Sequence, residues 1–372
     1  MAVTDLEIAP YLSVMVNKGG EDMYLHTGAK ILFKGPSGFA WMGEELEAGH
    51  VERIFRSLAT DAKIKDFEEH GEVDFGVSIQ KVGRFRANAF RQRGEVSLVF
   101  RYVHNEIPTI ESLSLPKVLE DLVMQKNGLV LVVGATGSGK STTLAAMVDY
   151  RNSNAAGHIL TLEEPIEYLH KHKKSVVAQR EIGVDTESFS TGMRSAMREA
   201  PNVILVGEIR DTESMEYALK FANTGHLCLS TLHSNNSVSA IERMISFFPV
   251  DNFSQELPRI ADNLRAIICQ RLVPTLDGKK TAATEVLINT PRIKDLIGRH
   301  EFGGIHEAIK AGHSYGMHTF DQSLIKLYEA GLISADVAVE FADSRNNVSL
   351  HIRMNKSGDA GGGMDDMELE HI

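Results

Sequence analysis

Residues 134–141 read GATGSGKS and directly follow the apolar run Leu129, Val130, Leu131, Val132, Val133. The apolar run reads as a buried strand, and STTLAAM after the glycines reads as a helix start. The pattern G-x-x-x-x-G-K-[ST] in that strand–loop–helix context is a phosphate-binding loop, which commits this part of the chain to an α/β fold. Gly134, Gly137 and Gly139 can take backbone angles closed to other residues, so that successive N–H groups converge on phosphates at a helix N-terminus. The candidate nucleotide-binding residues are therefore Gly134, Ala135, Thr136, Gly137, Ser138, Gly139, Lys140, Ser141 and Thr142. Lys140 is expected to reach the β- and γ-phosphates, and Ser141 to offer its hydroxyl to a Mg²⁺ that keeps most of its waters. Such a loop establishes nucleotide binding and leaves hydrolysis open.

With 372 residues the chain exceeds one comfortable core, and two or three domains are expected. A composition of 43% hydrophobic and 24% charged residues is that of a soluble globular protein. The balance of 39 basic against 50 acidic residues, a net charge of -11, argues against a general nucleic-acid binder, whose affinity rests on neutralising phosphates. Cys228 and Cys269 lie far apart in apolar stretches and are expected to be buried free thiols in a reducing compartment. There is no apolar run near the 18 residues of a membrane span, and MAVTDLEIAP has no signal-peptide character. A cytoplasmic location is expected, with membrane contact only through partners.

Residues 1–105 read as a small α+β domain. Helices are expected over residues 8–18 and 48–60, and strands over 22–26, 73–80, 83–90 and 96–103. Residues 106–116, with Pro108 and Pro116, resemble a linker leading to a helix over 117–125. From residue 117 to about 290, apolar strands alternate with helical stretches, as in a mostly parallel sheet with helices on its faces. Residues 291–353 read as helical, and the glycine-rich acidic tail 354–372 as disordered.

In an open α/β sheet, ligands bind beyond the carboxyl ends of the strands. Three apolar runs end in polar residues that this rule would gather near the phosphate loop: residues 158–162 run into Glu163 and Glu164, residues 203–206 into Gly207 and Glu208, and residues 227–230 into Thr231, Leu232 and His233. Glu208 is placed to face metal and γ-phosphate, and Glu163 to orient or deprotonate water. His226 and His233 are weaker candidates from their residue type alone. The stretch His170, Lys171, His172, Lys173, Lys174 reads as a solvated loop.

Taken together, LTLEEPIEY around Glu163, APNVILVGEIRD around Glu208 and TGHLCLSTLHSNN around His226 and His233 resemble the acidic box, Walker B segment and histidine box of the type IV pilus and type II secretion ATPases. The resemblance covers nearly the whole chain and is strongest to the PilT/PilU retraction branch. It implies an N-terminal PAS-like domain followed by a RecA-like ATPase domain with a helical extension, ATP and Mg²⁺ as ligands, and a hexameric ring. It also implies that Arg86 and Arg101, in RFRANAFRQRGEVSLVFR, reach nucleotide at a subunit interface, where planar guanidinium groups suit charge on a transferring phosphoryl group. The implied partners are a second retraction ATPase and the pilus inner-membrane platform protein. Assembly-type relatives carry a four-cysteine zinc motif, whereas this chain has two cysteines and no C-x-x-C. Where the retraction branch has AIRAGES, residues 308–314 read AIKAGHS, with Lys310 and His313 as the differences, which resembles the accessory PilU type. Two readings stay open: a motor that drives or assists retraction, and a nucleotide-dependent oligomeric scaffold for a more active relative.

Overall fold

The computed structural model of the chain describes residues 8–36, 38–103 and 106–359. Its contacts divide the chain into two units, each built on its own sheet. The first takes the chain to Ile107 and, in addition, residues 163–171 and 180–188.

The N-terminal unit contains α1 (Ala9–Asn17), β1 (Asp22–Leu25), β2 (Ile31–Gly35), β3 (Gly38–Met42), α2 (His50–Leu58), α3 (Asp61–His70), β4 (Glu72–Ile79), β5 (Gly83–Gln92) and β6 (Glu95–Val103). The strands form one antiparallel sheet in the order β3-β2-β1-β6-β5-β4. Period-two alternation turns Val73, Phe75, Val77 and Ile79 of β4, with Phe85, Ala87 and Ala89 of β5, into the core. Leu12, Met15, Val51, Phe55 and Phe67 of the helices join them there, with the Phe55 ring 4.7 Å from Phe67 and 5.7 Å from Phe75. Helix α3 and strands β2 and β3 are absent from the sequence reading, α3 and β3 for a physical reason. Phe67 is the one buried residue of α3, and β3 is an edge strand whose Phe39 and Trp41 stand exposed, so neither displays a clean hydrophobic period.

The second unit contains α4 (Val118–Val123), β7 (Gly128–Val133), α5 (Lys140–Asn154), β8 (Gly157–Glu163), β9 (Ser175–Glu181), α6 (Phe189–Ala196), β10 (Val203–Val206), α7 (Thr212–Asn223), β11 (Leu227–Leu232), α8 (Ser237–Ser246), α9 (Phe253–Asn263), β12 (Leu264–Pro274) and β13 (Lys280–Ile288). Beyond them follow α10 (Pro291–Gly298), α11 (Ile305–Lys310), α12 (Phe320–Glu329), α13 (Ala335–Glu340) and α14 (Arg345–Asp359). The sheet order is β13-β12-β7-β11-β10-β8-β9, with β12, β7, β11, β10 and β8 parallel and β13 antiparallel at one edge. All six residues of β7 are buried. Burial of each Val or Leu there contributes about 1.5–3 kcal/mol, so the strand that delivers the phosphate loop is held hard in place.

Two boundaries differ from the sequence reading. Residues 163–171 and 180–188, expected inside the ATPase domain, make their contacts with the N-terminal unit. The buried Glu181 explains it: its carboxylate accepts from Arg84 Nη2 at 2.8 Å and from the Ile166 N–H at 3.3 Å, which ties both segments to β5. The helical region after residue 290, expected as a separate element, packs into the second unit. Arg271 of β12 bonds the Phe341 carbonyl at 2.9 Å and Asp343 at 2.7 Å, and its guanidinium lies 3.8 Å from the Phe320 ring centroid. Helix α14 continues to Asp359, past the expected start of a disordered tail at residue 354, and residues 360–372 lie outside the described residues. Among the described residues no helix is long and apolar enough to cross a membrane.

Candidate nucleotide site

The loop between β7 and α5 has the form its sequence requires. Gly137 has φ +76° with nothing within 4 Å of where a Cβ would stand, and Gly139 has φ +88°. A Cβ on Gly134 would lie 2.5 Å from Ser138 Oγ and 2.6 Å from the Gln270 carbonyl oxygen, so glycine is there for close approach. Lys140 folds back over the loop, donating to the carbonyls of Gly134 at 2.9 Å and Ala135 at 3.0 Å. Helix α5 begins at Gly139 with no side-chain cap, whereas α7 and α8 carry capping boxes from Asp211 and Asn236. A helix start without a side-chain cap is a form that suits an anion. Ser138 Oγ is buried without a hydrogen-bond partner among the described residues. An open glycine cradle, an uncapped helix start and an orphaned hydroxyl fit a phosphate chain.

A cavity of about 650 Å³ opens beside the loop, reached by Gly139, Thr142 and Thr143 and closed by Leu115, Gln270 and Leu272. Its size suits the rest of a nucleotide.

Glu208 stands just beyond β10, at the same edge of the sheet as the loop; β11 separates β10 from β7, which puts the two strand ends about 10 Å apart. Arg210 Nε donates to one carboxylate oxygen at 2.8 Å, and His233 Nε2 lies 3.2 Å from the other. The backbone carrying Glu208 is pinned by β11: Ser230 Oγ donates to the Val206 carbonyl at 2.6 Å and Thr231 Oγ1 to the Gly207 carbonyl at 2.7 Å. Ser141 is exposed in the first turn of α5. A hydroxyl and a carboxylate are the hard-oxygen donors that suit Mg²⁺, an ion that takes most of its ligands from water and phosphate. Among the described residues there is no cluster of three acidic, histidine or cysteine ligands, which such an ion does not require.

His226 must be separated from this group. It precedes the first residue of β11, its carbonyl accepts from the Gly128 N–H at the start of β7, and its ring lies by Thr224 Oγ1 at 3.0 Å. The strands are parallel, so His226 sits at the opposite edge of the sheet from the loop, about 20 Å away by strand rise. The shared histidine-rich segment hid this, since one strand length divides its two histidines. Glu163 is the last residue of β8, accepts at its carbonyl from the Ile182 N–H at 2.9 Å, and belongs by its contacts to the N-terminal unit. Arg86 and Arg101 are direct cross-strand partners on β5 and β6 of that unit. The buried Asp22 carboxylate holds Arg101 by two bonds, Nε at 2.7 Å and Nη2 at 3.3 Å, and the paired charge keeps that guanidinium above its usual range despite some desolvation. Both arginines line a cavity of about 290 Å³ with Lys34, Pro165 and Tyr168.

Gln270 and Arg210 escaped the sequence reading. The second has a signal, two residues past Glu208 in GEIRD; Gln270 has none, because only the β12–β7 pairing brings it behind the loop, where its Oε1 accepts from Thr143 Oγ1 at 2.8 Å. The segment 170–174 is a loop as expected, but not wholly solvated: Lys173 Nζ reaches Asp149 at 2.7 Å.

Comparison with known proteins decides the family. The model of the type II/IV secretion system protein family matches residues 69–346. The type IV pilus ATPase PilU of Pseudomonas aeruginosa is 43% identical over 95% of this chain and 94% of its own. The chain belongs to the PilT/PilU family of pilus retraction ATPases. The retraction ATPase PilT of the same organism is 39% identical over 92% of this chain and its own full length. A crystal structure of the pilus retraction motor PilT with bound ADP superposes with a TM-score of 0.85 at 38% identity, covering 91% of this chain and 98% of that one. This PilT/PilU-family chain is an ATPase.

Proposed function

We propose that the chain is a subunit of a hexameric, Mg²⁺-dependent motor that hydrolyses ATP to drive or assist type IV pilus retraction, working beside a second retraction ATPase against the inner-membrane platform protein. The observation that carries this reading is the Glu208 carboxylate, held by Arg210 and His233 at the sheet edge that presents the phosphate loop. In it the loop amides and Lys140 bind the phosphates, Lys140 exchanging its bonds to the Gly134 and Ala135 carbonyls for phosphate oxygens. Ser141 and Glu208 would hold Mg²⁺, which when bound neutralises charge on the β- and γ-phosphates. His233 orients Glu208, and Glu163 positions the attacking water. Arg86 and Arg101, on the PAS-like unit of the same or a neighbouring subunit, supply charge to the transferring group, and closure of that unit on the RecA-like one moves ring subunits past each other.

The scaffold reading is favoured by one observation, the substituted segment AIKAGHS with Lys310 and His313. Phosphate release by wild type and by Glu208→Gln, each alone and with a retraction ATPase partner, separates the two. Turnover that the substitution abolishes supports the motor. ATP binding without turnover in either setting overturns it.

A further inference from the structure

A second cavity, of about 670 Å³, lies in the ATPase unit and shares the wall formed by Ser114, Leu115, Ala282 and Leu332 with the cavity beside the phosphate loop. Its chemistry differs from that of the chain as a whole. The chain carries a net charge of -11, yet among the described residues no aspartate or glutamate lines this cavity, whereas Lys117, Lys326 and His313 do. Among the described residues neither lysine is engaged in a salt bridge. Uncharged hydrogen-bonding groups from two elements converge there: Thr284 of β13, with Ser323 and Gln322 of α12. The floor is apolar, from Met317 and Leu327, both buried. The rim is fixed rather than loose. Gln322 Nε2 donates to the Lys310 carbonyl at 3.3 Å and lies 3.0 Å from His313 Nε2, so the segment AIKAGHS is tied to α12 at the cavity mouth. His318, inside, bonds Thr284 Oγ1 at 2.9 Å. Burial pushes its pKa down to about 4 against a hydrogen bond to the Gly316 backbone that favours the charged form, and the positive charge of Lys326 pushes the same way as burial.

We propose that this cavity binds a small molecule carrying phosphate groups, at a site separate from the ATP site, with Lys117 and Lys326 meeting the phosphates and Thr284, Ser323 and Gln322 supplying neutral hydrogen bonds. A pocket of several hundred cubic ångströms with an apolar floor and a few convergent polar groups has the form of a small-molecule site, and lysine ammonium groups without carboxylate partners select for anions. The shared wall makes the position consequential, because anything that shifts Leu115 or Ala282 is felt on both sides.

The phosphate loop itself would take up pyrophosphate, so the test uses full-length protein with Lys140→Ala. Calorimetric titration of that variant with inorganic pyrophosphate at low salt should show one remaining site. Adding Lys117→Ala and Lys326→Ala should weaken it at least tenfold, while Lys117→Arg with Lys326→Arg should keep it within about threefold. Should the alanine variant not fold, Lys326→Gln in the Lys140→Ala background carries the same test, with a loss of at least threefold expected. No binding to Lys140→Ala protein, or binding unchanged by removal of the lysines, overturns the proposal.

Discussion

Gln270 is buried behind the phosphate loop, and replacing it with methionine tests whether it holds that loop in place. Its Oε1 accepts from the buried Thr143 hydroxyl at 2.8 Å, and its Nε2 comes within 2.9 Å of the position a Cβ on Gly139 would take. Methionine keeps the volume and removes the acceptor. A buried hydroxyl deprived of its partner costs about 1–3 kcal/mol. For a unit of this size each kcal/mol moves the melting temperature by about 2–4 °C, so Gln270→Met should lower it by about 2–12 °C. Scanning calorimetry reads this on the transition that nucleotide moves upward, which identifies the ATPase unit in a chain that need not melt as one. Thr143→Val removes the hydroxyl at constant shape. When both partners are apolar nothing is left unsatisfied, so the double variant should recover at least half of the single variant's loss, a coupling of about 1 kcal/mol or more. A neutral Gln270→Met, or a double variant whose losses simply add, would refute the reasoning and mean that Thr143 satisfies itself by turning to the carbonyl one helical turn back.

Three further outcomes are expected. His226→Asn should leave ATP turnover within about twofold, whereas His233→Asn, which removes a bond to the Glu208 carboxylate, should lower it at least about tenfold, or about 1.4 kcal/mol in the barrier; equal losses in steady-state phosphate release would contradict the sheet-edge assignment. His318 has a folded pKa depressed to about 4 from its usual 6.5, so its contribution to stability is complete above pH 6.5 and is lost as pH falls through that window toward 4. The loss is at most about 3 kcal/mol, and His318→Gln should flatten the melting-temperature slope between those limits. Burial pushes the Cys228 thiol up to about 12 and, with the nearby Glu285 carboxylate adding to it, lifts Cys269 well above its usual value. Neither should react with a thiol-disulfide reagent in the native state, and both should react on unfolding; rapid native labelling would show that the strands β11 and β12 open.

Much of the catalytic unit was legible because its signals are local. The loop residues 134–141 are contiguous, and β7, β10 and β11 announce themselves as apolar runs buried on both faces, so that Glu208 and His233 follow from the strand-end rule. The strand-end rule needs a direction as well as a strand. His226 precedes β11 and His233 follows it, which is enough to assign them to opposite edges once the strand limits are known. The N-terminal unit was less legible, since α3 buries a single side chain and β3 lies at an edge with its aromatic residues exposed.

The sequence alone determined the chemistry: a phosphate cradle that only glycine permits at Gly137 and Gly139, a lysine and a hydroxyl at the helix start, and a carboxylate at a neighbouring strand end. Tertiary structure decided which groups serve those residues. Gln270 stands behind the loop because β12 pairs with β7 over more than a hundred residues of separation, and Arg210 and His233 meet on Glu208 because β10 and β11 lie side by side. It also assigned residues 163–171 and 180–188 to the N-terminal unit through the Arg84–Glu181 bond. The physical reason is the same in each case. Local propensity acts over a few residues, while hydrogen-bond satisfaction of a buried group depends on whichever distant strand the folded chain brings beside it.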